Sequence, residues 1–404
     1  MNKYKALVIS LFITCFGCER PKQGDKGLPH PGEPVLSFPG SEDGDEAINY
    51  IFARDGRRIG GPRMQDVYEP SRLDTIDLPF IDGAFIEALE YNRQLLELQA
   101  RPKNRQIGSL RVTAESLDET IRLLKAWQQT KPMGISDYLE AYQIWGGDRR
   151  GNVRFTGYFT PVVKVSKKPQ GKYIYPLYSR PLEWEGELPG RAQIEGEGAL
   201  DGLGLELAYA ADKVDVYYMQ VQGSGFVEYT DGTRELFAYN GTNRQPYRSI
   251  EKFILSREDI APNNLSIRGI RKYLEDNIHL ADTVLFYNPS YTFFTRKRSV
   301  PKGAGNVPLS EDFSIAVDQR YIPLGSCLLA AFPIFDHRSQ KVVSYEYRYF
   351  VAQDVGGAIK GPGHIDVYFG IGSQASREAG RVNNYGRLWI LLPKQPRAHF
   401  ISIE

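Results

Sequence analysis

Residues 353–370 read Q-D-V-G-G-A-I-K-G-P-G-H-I-D-V-Y-F-G, and this stretch decides how the chain is interpreted. Two aspartates, Asp354 and Asp366, flank a glycine-rich turn. Asp366 alternates with Ile365 and Val367, so a strand would point its carboxyl group away from the face occupied by these two neighbours. Hydrophobic surroundings would raise the pKa of that carboxyl group and keep a proton on it near neutral pH, as a general acid requires.

A third aspartate, Asp318, closes the strand-like run 316–318 further upstream. Three strand-end aspartates with glycines between them could converge on one active site. The spacing leaves another interpretation open, in which Asp354 and Asp318 only cap turns or pair with Lys360 and Arg320.

The rest of the body shows helical patterns at both ends of a strand-rich region. Apolar periodicity predicts helices at about 82–99, 116–124, 249–256 and 264–276, with Ser116 and Glu119 as a capping box for the second. Short runs rich in β-branched and aromatic residues predict strands. These runs are 153–155, 173–175, 214–218, 314–317, 327–330, 345–352, 365–368 and 388–391.

The N-terminus has the pattern of a secretory signal peptide. Two lysines precede an apolar stretch over residues 6–16, which is too short to span a membrane as a mature helix. A glycine directly before Cys18 resembles the lipobox of bacterial lipoproteins, which predicts a signal peptide over 1–18 and lipidation of Cys18. A plain cleaved signal is the alternative. Residues 19–50, rich in proline, glycine and charge, are predicted to be a flexible tether.

Composition excludes several classes of protein. The chain has 404 residues, and 50 Lys plus Arg against 49 Asp plus Glu give a net charge of +1, which argues against nucleic-acid binding through a basic surface. With 42% hydrophobic and 25% charged residues, it is neither wholly disordered nor a polytopic membrane protein. The five histidines show no metal-ligand spacing, so we expect no metal and no cofactor. Cys327, in an apolar strand, is predicted to be a buried small hydrophobe.

Several further segments, in the same order, make the chain similar to a known family. They are 156–161 (TGYFTP), 220–225 (QVQGSG), 239–250 (YNGTNRQPYRSI), 288–294 (NPSYTFF), 307–309 (VPL) and 316–325 (AVDQRYIPLG). Together with 353–370 they resemble the MltA-type membrane-bound lytic murein transglycosylases and their three-aspartate domain. The resemblance covers roughly residues 75–400.

This resemblance implies a mainly β fold with α elements. A double-psi β-barrel domain, like that of barwin and some endoglucanases, would carry a second β-barrel domain as an insertion. The first domain would comprise an N-terminal part over 51–161 and a C-terminal part over 293–404, and the insert would span 162–292. A groove between the two domains would hold a glycan strand.

The resemblance also implies an activity and the residues that carry it. The family cleaves the β-1,4 bond between N-acetylmuramic acid and N-acetylglucosamine without water and leaves 1,6-anhydro ends. Asp366 corresponds to the catalytic acid and base, Asp354 would tune or orient it, and Asp318 would be the third member. Aromatic, amide and hydroxyl side chains suit sugar faces and N-acetyl groups. The substrate-binding candidates are Tyr158, Gln222, Ser224, Tyr239, Tyr247 and Lys360.

The expected partners follow from the same resemblance. They are peptidoglycan glycan strands, a membrane reached through the lipid anchor, and a cell-wall synthesis complex. The protein would be a monomer on the outer membrane, facing the periplasm. Two alternatives remain open: a hydrolase on the same barrel, with a second carboxylate across the groove from Asp366, and a non-catalytic, expansin-like module that binds the wall.

Overall fold

A computed structural model describes residues 63–74, 76, 78–98, 104–260, 262, 265, 267–336 and 341–394, together with two short strands, Val35–Leu36 and Phe52–Ala53. The strands are β1 Val35–Leu36, β2 Phe52–Ala53, β3 Tyr68–Ser71, β4 Arg105–Ile107, β5 Leu110–Val112, β6 Leu139–Ile144, β7 Val153–Thr160, β8 Val162–Ser166, β9 Tyr175–Tyr178, β10 Glu206–Ala210, β11 Gly225–Tyr229, β12 Arg234–Thr242, β13 Thr292–Lys297, β14 Ser314–Ala316, β15 Cys327–Asp336, β16 Lys341–Asp354, β17 His364–Ile371 and β18 Asn383–Pro393. The α-helices are α1 Gly83–Leu98, α2 Ala114–Ala126, α3 Lys213–Gln222, α4 Ile250–Leu255, α5 Ile267–Asp276, α6 Ala281–Leu285 and α7 Gly372–Ala379.

Six strands close into a barrel that brings the two ends of the described chain together. Their order is β15-β16-β14-β17-β7-β18, and β18 pairs with β15 to complete the ring. The pairs β14–β16 and β17–β7 are parallel, and the others are antiparallel. Strands β6 and β3 extend the sheet beyond β18. Closure removes the free edges of these six strands.

The interior of this barrel is apolar and every strand of the ring contributes to it. Alternate residues of each strand point inward, as the two-residue period of a strand requires. The buried cluster includes Phe155, Ile315, Phe332, Phe350, Ile365, Val367, Leu388 and Ile390. The neighbours that alternate with them, Asp366 among these, therefore lie on the outside of the barrel.

Helices α1 and α2 cover part of the outer face and share a second cluster with Leu329, Val351 and Trp389. The predicted helices here are confirmed, but the predicted capping box is not the observed one. Helix α2 begins after Thr113, whose hydroxyl accepts from the Ser116 amide, while the Ser116 hydroxyl accepts from the Thr113 amide. Ser116 is thus the third residue of the helix instead of its cap, and Glu119 takes no part.

A second, smaller sheet is formed by the segment between β7 and β14. Its strand order is β13-β12-β11-β8-β10-β9. A bridge between Ser179, directly after β9, and Phe294 in β13 links the two edge strands. The sheet encloses its own core, which includes Val165, Ala210 and Phe237. Only Pro161 separates β7 of the first barrel from β8 of this second barrel, so the two bodies meet at that point.

One prediction is wrong: residues 214–218 are predicted to be a strand, but they lie in helix α3. Asp212 caps the helix, with its carboxylate accepting from the Val214 amide at 2.8 Å, and Gly223 ends it in the left-handed conformation. One side of the helix packs on the second sheet through Val216 and the other packs on helices α4–α6 through Tyr217. A helix buried on both sides shows no polar face, so its sequence lacks helical periodicity.

The other predicted elements largely match the structure. Helices α4 and α5 confirm the later helical patterns, and β7, β14, β15, β16, β17 and β18 confirm six of the predicted strands. The run 173–175 meets β9 only at Tyr175. The predicted signal peptide and Cys18 lie outside the described residues, as does the predicted tether apart from β1. Within the described part of the chain, no helix combines the length and apolar character needed to cross a membrane.

Candidate active site

Strand register brings Asp354 and Asp366 to one side of the first barrel. Ala316 in β14 pairs with Asp354 in β16 on one side and with Asp366 in β17 on the other. Asp366 in turn pairs with Thr156 in β7. Because neighbouring strands lie about 4.8 Å apart, the Cα atoms of the two aspartates are separated by about 10 Å.

Asp366 has the properties of a carboxylic acid that keeps its proton. Ile365 and Val367 on either side are fully buried, while Asp366 itself is partly exposed. The pKa of Asp366 is raised to about 7, chiefly by burial among protein atoms and in smaller part by the charge of Asp354. A hydrogen bond from the Thr156 hydroxyl (2.7 Å) and the charge of Arg154 act in the opposite direction. The predicted elevation of the pKa is therefore confirmed.

Asp354 is held firmly at the end of β16. Its Oδ1 accepts from the backbone amides of Ala304 and Val355, both at 2.8 Å, and its Oδ2 accepts from the Tyr158 hydroxyl at 2.9 Å. Burial nevertheless raises the pKa of Asp354 above its ordinary value, against these hydrogen bonds. Both carboxylate oxygens are thus engaged by protein donors.

Asp318 occupies a different environment. It is buried and accepts two close contacts from the Arg320 guanidinium, at 2.9 Å from Nε and 2.5 Å from Nη2. It also accepts from the Gly361 amide at 2.8 Å. The Arg320 hydrogen bond holds the pKa of Asp318 well below its ordinary value. None of its hydrogen bonds among the described residues goes to either of the other two aspartates. Because the Gly361 amide donates to it, Asp318 holds the loop that contains Lys360 in place.

Two of the predicted substrate-binding residues belong to the hydrogen-bond framework around the aspartates. Tyr158 reaches Asp354 and its ring lies 5.2 Å from that of Tyr368. The Gln222 side chain accepts from the Phe159 amide at 3.0 Å and so links the end of α3 to β7. Gln222 therefore joins the two barrels beside Tyr158.

Among the described hydrogen bonds and ring pairs, none joins Ser224, Tyr239, Tyr247 or Lys360 to the aspartates. Tyr239 is 57% exposed on β12 and Tyr247 is 38% exposed after it, so both rings are accessible. Ser224 is half-buried just before β11, and Lys360 is exposed on the glycine-rich turn.

Two residues beside Asp366 were not singled out from the sequence. Thr156 donates to Asp366, and the Nε2 atom of His364 lies 2.9 Å from the same Thr156 hydroxyl. His364 stands two residues before Asp366 on one strand, so the strand period alone would have placed both on one face. Thr156 is the first residue of the TGYFTP segment, two residues before Tyr158 on β7.

The described residues offer no group of three or more His, Cys, Asp or Glu side chains that could hold a metal ion. A cavity of about 420 Å³ lies on the second barrel, where Lys167, Arg234, Lys297 and Arg298 contribute cations to its lining. The three aspartates do not line this cavity. Cys327 is buried, as predicted, and burial raises the pKa of its thiol to about 12.

Two known domain families match parts of this chain. Residues 154–295 match the MltA specific insert domain, and residues 313–392 match the 3D domain. The first range covers the second barrel together with β7, and the second contains all three aspartates.

Named relatives and solved structures agree with these matches. The chain is 37% identical over 334 residues to membrane-bound lytic murein transglycosylase A of Escherichia coli K12, covering 82% of this chain and 89% of that protein. It is 37% identical over 274 residues to the protein of the same name from Vibrio cholerae, covering 66% and 74%. The crystal structure of E. coli MltA with bound chitohexaose superposes with a TM-score of 0.71 and 33% identity, covering 85% of this chain and 99% of that one. A membrane-bound lytic murein transglycosylase from Agrobacterium tumefaciens gives a TM-score of 0.64 with 28% identity, covering 76% and 92%.

Proposed function

Because this chain belongs to the MltA family of membrane-bound lytic murein transglycosylases, we propose that Asp366 is the single catalytic acid of a peptidoglycan lytic transglycosylase. The reaction breaks the β-1,4 bond between N-acetylmuramic acid and N-acetylglucosamine and leaves a 1,6-anhydro ring. The observation that carries the assignment is the partly exposed Asp366 on the outside of the barrel, whose pKa is raised to about 7.

The chemistry needs one carboxyl group in two roles. Protonated Asp366 gives its proton to the glycosidic oxygen, and the bond from that oxygen to C1 of the muramic acid breaks. The Asp366 carboxylate then takes the proton of the C6 hydroxyl while that oxygen bonds to C1. The attacking hydroxyl belongs to the same sugar, so proximity replaces the second carboxylate of an ordinary glycosidase. The proton returns to Asp366, and the site is ready for another turnover.

Asp354 supports Asp366 through its charge instead of acting as a second catalytic base. A hydrolase of the inverting kind needs a carboxylate that can take a proton from water. Both oxygens of Asp354 already accept hydrogen bonds from Ala304, Val355 and Tyr158. These hydrogen bonds favour the transglycosylase over the hydrolase.

Asp318 and the remaining polar residues shape the surface on which a glycan strand would lie. We assign Asp318 the task of fastening the glycine-rich turn through Gly361, so that Lys360 faces the substrate. Tyr158, Gln222, Ser224, Tyr239 and Tyr247 supply rings, an amide and a hydroxyl for sugar contacts. Tyr158 and Gln222 combine this role with the hydrogen bonds that position β7.

The architecture of this family member is proposed to be a double-psi β-barrel with an inserted barrel. The closed six-stranded ring with two parallel pairs supports the first part. The sheet formed by β8–β13 supports an inserted barrel, proposed over 162–292 and flanked by domain-one segments at 51–161 and 293–404. Strand β13 continues to Lys297, so the sheet of the insert extends past the proposed boundary at 292. A glycan strand would occupy the groove between the two bodies, close to Pro161.

The same function explains the N-terminal pattern. Acylation of Cys18 would tie the protein to the outer membrane with its body in the periplasm, and residues 19–50 would let that body reach the wall. In the periplasm the protein would not pair with a second copy of itself and would act as a monomer. It would associate with a cell-wall synthesis complex.

The test is mass spectrometry of the soluble products released from purified sacculi. Wild-type protein should release anhydromuramyl products, and the Asp366→Asn variant should release none. Asp312→Asn is a matched control, because burial also raises the pKa of Asp312, which lies outside the strand register of the site. That variant should keep its activity.

Each other outcome contradicts a defined part of the proposal. Reducing muramic ends would mean hydrolysis and a second carboxylate. Protein that pellets with sacculi and releases nothing would be a wall-binding module. Activity that survives in Asp366→Asn would mean that another group is the acid.

A further inference from the structure

A chain of hydrogen bonds runs from His364 through Thr156 to Asp366 on the outside of the first barrel. Thr156 Oγ1 lies 2.9 Å from His364 Nε2 and 2.7 Å from Asp366 Oδ1. The backbone fixes this juxtaposition, because His364 and Asp366 are two residues apart on β17 and Thr156 pairs with Asp366 in β7. The remaining contact of the hydroxyl, to the Ile365 carbonyl, is long at 3.4 Å.

The hydroxyl of Thr156 has one proton to donate, so the direction of the chain is a choice between two arrangements. In the first, His364 Nε2–H donates to Thr156, and Thr156 donates to Asp366 Oδ1. In the second, protonated Asp366 donates from Oδ1 to Thr156, and Thr156 donates to an unprotonated Nε2. The protonation of one imidazole nitrogen therefore decides which oxygen of Asp366 carries the acid proton.

His364 is neutral in this environment. The pKa of His364 is lowered to about 4, chiefly by burial and in smaller part by the positive charge of Arg154, its partner in the parallel strand pair. Arg154 is itself held by a hydrogen bond to Asn383 at 2.8 Å. A neutral imidazole carries its single N–H on either Nε2 or Nδ1. Nε2 is the nitrogen that lies 2.9 Å from the Thr156 hydroxyl, so the first arrangement requires the Nε2–H tautomer.

Four other groups share the electrostatics of Asp366. Asp354 and Arg154 act on its pKa directly, with opposite signs. The Tyr158 hydroxyl donates to Asp354, and the charge of Asp366 acts on the pKa of Tyr158. Tyr368 on the same strand is neutral, because burial raises its pKa to about 12. Within the described part of the chain, none of these groups donates a hydrogen bond to Oδ2 of Asp366.

We propose that His364 is a positioning residue whose Nε2–H directs the Thr156 hydroxyl into Oδ1 of Asp366 and so keeps the catalytic proton on Oδ2. Among the described hydrogen bonds none reaches Oδ2, so this oxygen is the one available to a substrate. This inference rests on the proposed function, since it assigns the orientation of the acid in that same reaction. It adds a requirement that the raised pKa of Asp366 does not supply: the proton must be on the oxygen that faces the sugar.

Kinetics on sacculi with the full chain test the direction of the hydrogen bonds. His364→Gln keeps an N–H donor near the position of Nε2 and should retain activity within about threefold of wild type. His364→Leu removes the donor, so Asp366 can donate to Thr156 from Oδ1. Its kcat at low pH should fall at least about tenfold with KM nearly unchanged, and the alkaline limb of its pH profile should move up by roughly half to one pH unit.

A double variant separates positioning from packing. Thr156→Val removes the group that would trap the proton on Oδ1, so Thr156→Val/His364→Leu should be more active than His364→Leu alone. A packing role for His364 predicts the reverse, because the second substitution would only add damage. Thermal unfolding of each variant identifies any that fail to fold.

Nitrogen NMR of the wild-type protein provides a readout that needs no activity. The ¹⁵N shifts and ring couplings of His364, assigned by their loss in His364→Gln, should report the neutral Nε2–H tautomer at pH 7. The Nδ1–H tautomer would overturn the proposal, as would an unchanged pH profile in His364→Leu or a double variant no better than the single one. If the wild type releases no anhydro products, the proposed function fails, while the tautomer still decides the direction of the chain.

Discussion

Replacing Asp366 by asparagine should abolish activity and, at the same time, make the protein more stable at neutral and alkaline pH. Asparagine keeps the shape of the protonated acid and an oxygen that can accept from Thr156. It lacks the negative charge that the surroundings disfavour. The structure thus predicts that the group needed for chemistry lowers the stability of the fold that carries it.

The size of this effect follows from the displacement of the pKa. Asp366 titrates at about 7 in the folded protein against an ordinary value of 3.8. One pKa unit corresponds to about 1.4 kcal/mol, so ionised Asp366 lowers the free energy of unfolding by about 4 kcal/mol at most. In a chain of this size, that corresponds to an increase in Tm of about 5 °C.

The pH window fixes the sign of the difference. Below pH 3.8 the carboxyl is protonated in both the folded and the unfolded state, so wild type and variant should be equally stable. Between the two pKa values the unfolded state loses its proton first, and stability of the wild type falls as pH rises. Above pH 7 the difference is complete and constant.

Thermal unfolding at pH 4, 6 and 8.5, followed by tryptophan fluorescence, measures the gap between the two proteins. Asp318→Asn is a control of opposite sign, because the pKa of Asp318 is lowered and its charge stabilises the fold above its ordinary pKa. A gap between wild type and Asp366→Asn that does not grow with pH would refute the reasoning. A variant less stable than wild type at pH 8.5 would refute it as well.

Three further substitutions test other parts of the site. Tyr158→Phe removes the hydrogen bond to Asp354. It should lower kcat on sacculi about tenfold with little change in KM. An unchanged kcat would mean that this hydrogen bond does not support Asp366 as the acid. Asp318→Ala should lower the free energy of unfolding by about 2 kcal/mol at pH 7, measured by urea denaturation. The difference in stability between this variant and the wild type should shrink as the pH falls and the wild-type carboxylate is protonated. Gly157→Ala should cost about 1–3 kcal/mol in the same assay, because its Cβ would lie 2.6 Å from the Cα of Ala379; a neutral result would contradict the close packing of α7 on β7.

The sequence was sufficient to predict the placement of Asp366 but not its hydrogen-bond partners. Alternation around Asp366 predicted a carboxyl group facing away from a buried strand face, because that inference needs only the two-residue period of one strand. Thr156 lies 210 residues earlier, and its contact with Asp366 depends on the parallel pairing of β7 with β17. Nothing local in either strand specifies this pairing.

The fold shows the same division between local and tertiary information. Helices α1 and α5 display one apolar face each and were predicted from their periodicity. Helix α3 has apolar residues on two sides, because the second sheet packs on one side and α4–α6 on the other. Its run of β-branched and aromatic residues is typical of a strand, and only the tertiary surroundings make the helix the better solution.

The three aspartates also show why a motif of identical residues does not assign identical roles. Asp318 has a guanidinium against it and stays an anion, which suits it to holding a turn. Asp354 is locked by three donors, and its negative charge acts on its neighbour. Asp366 has one donor, an apolar strand beneath it and Asp354 nearby, so it keeps its proton to about pH 7. A cation placed close to Asp366 should therefore lower its pKa and keep it ionised, as Arg320 does for Asp318. The activity would fall because the proton is lost from the carboxyl group, even with every atom of that group in place.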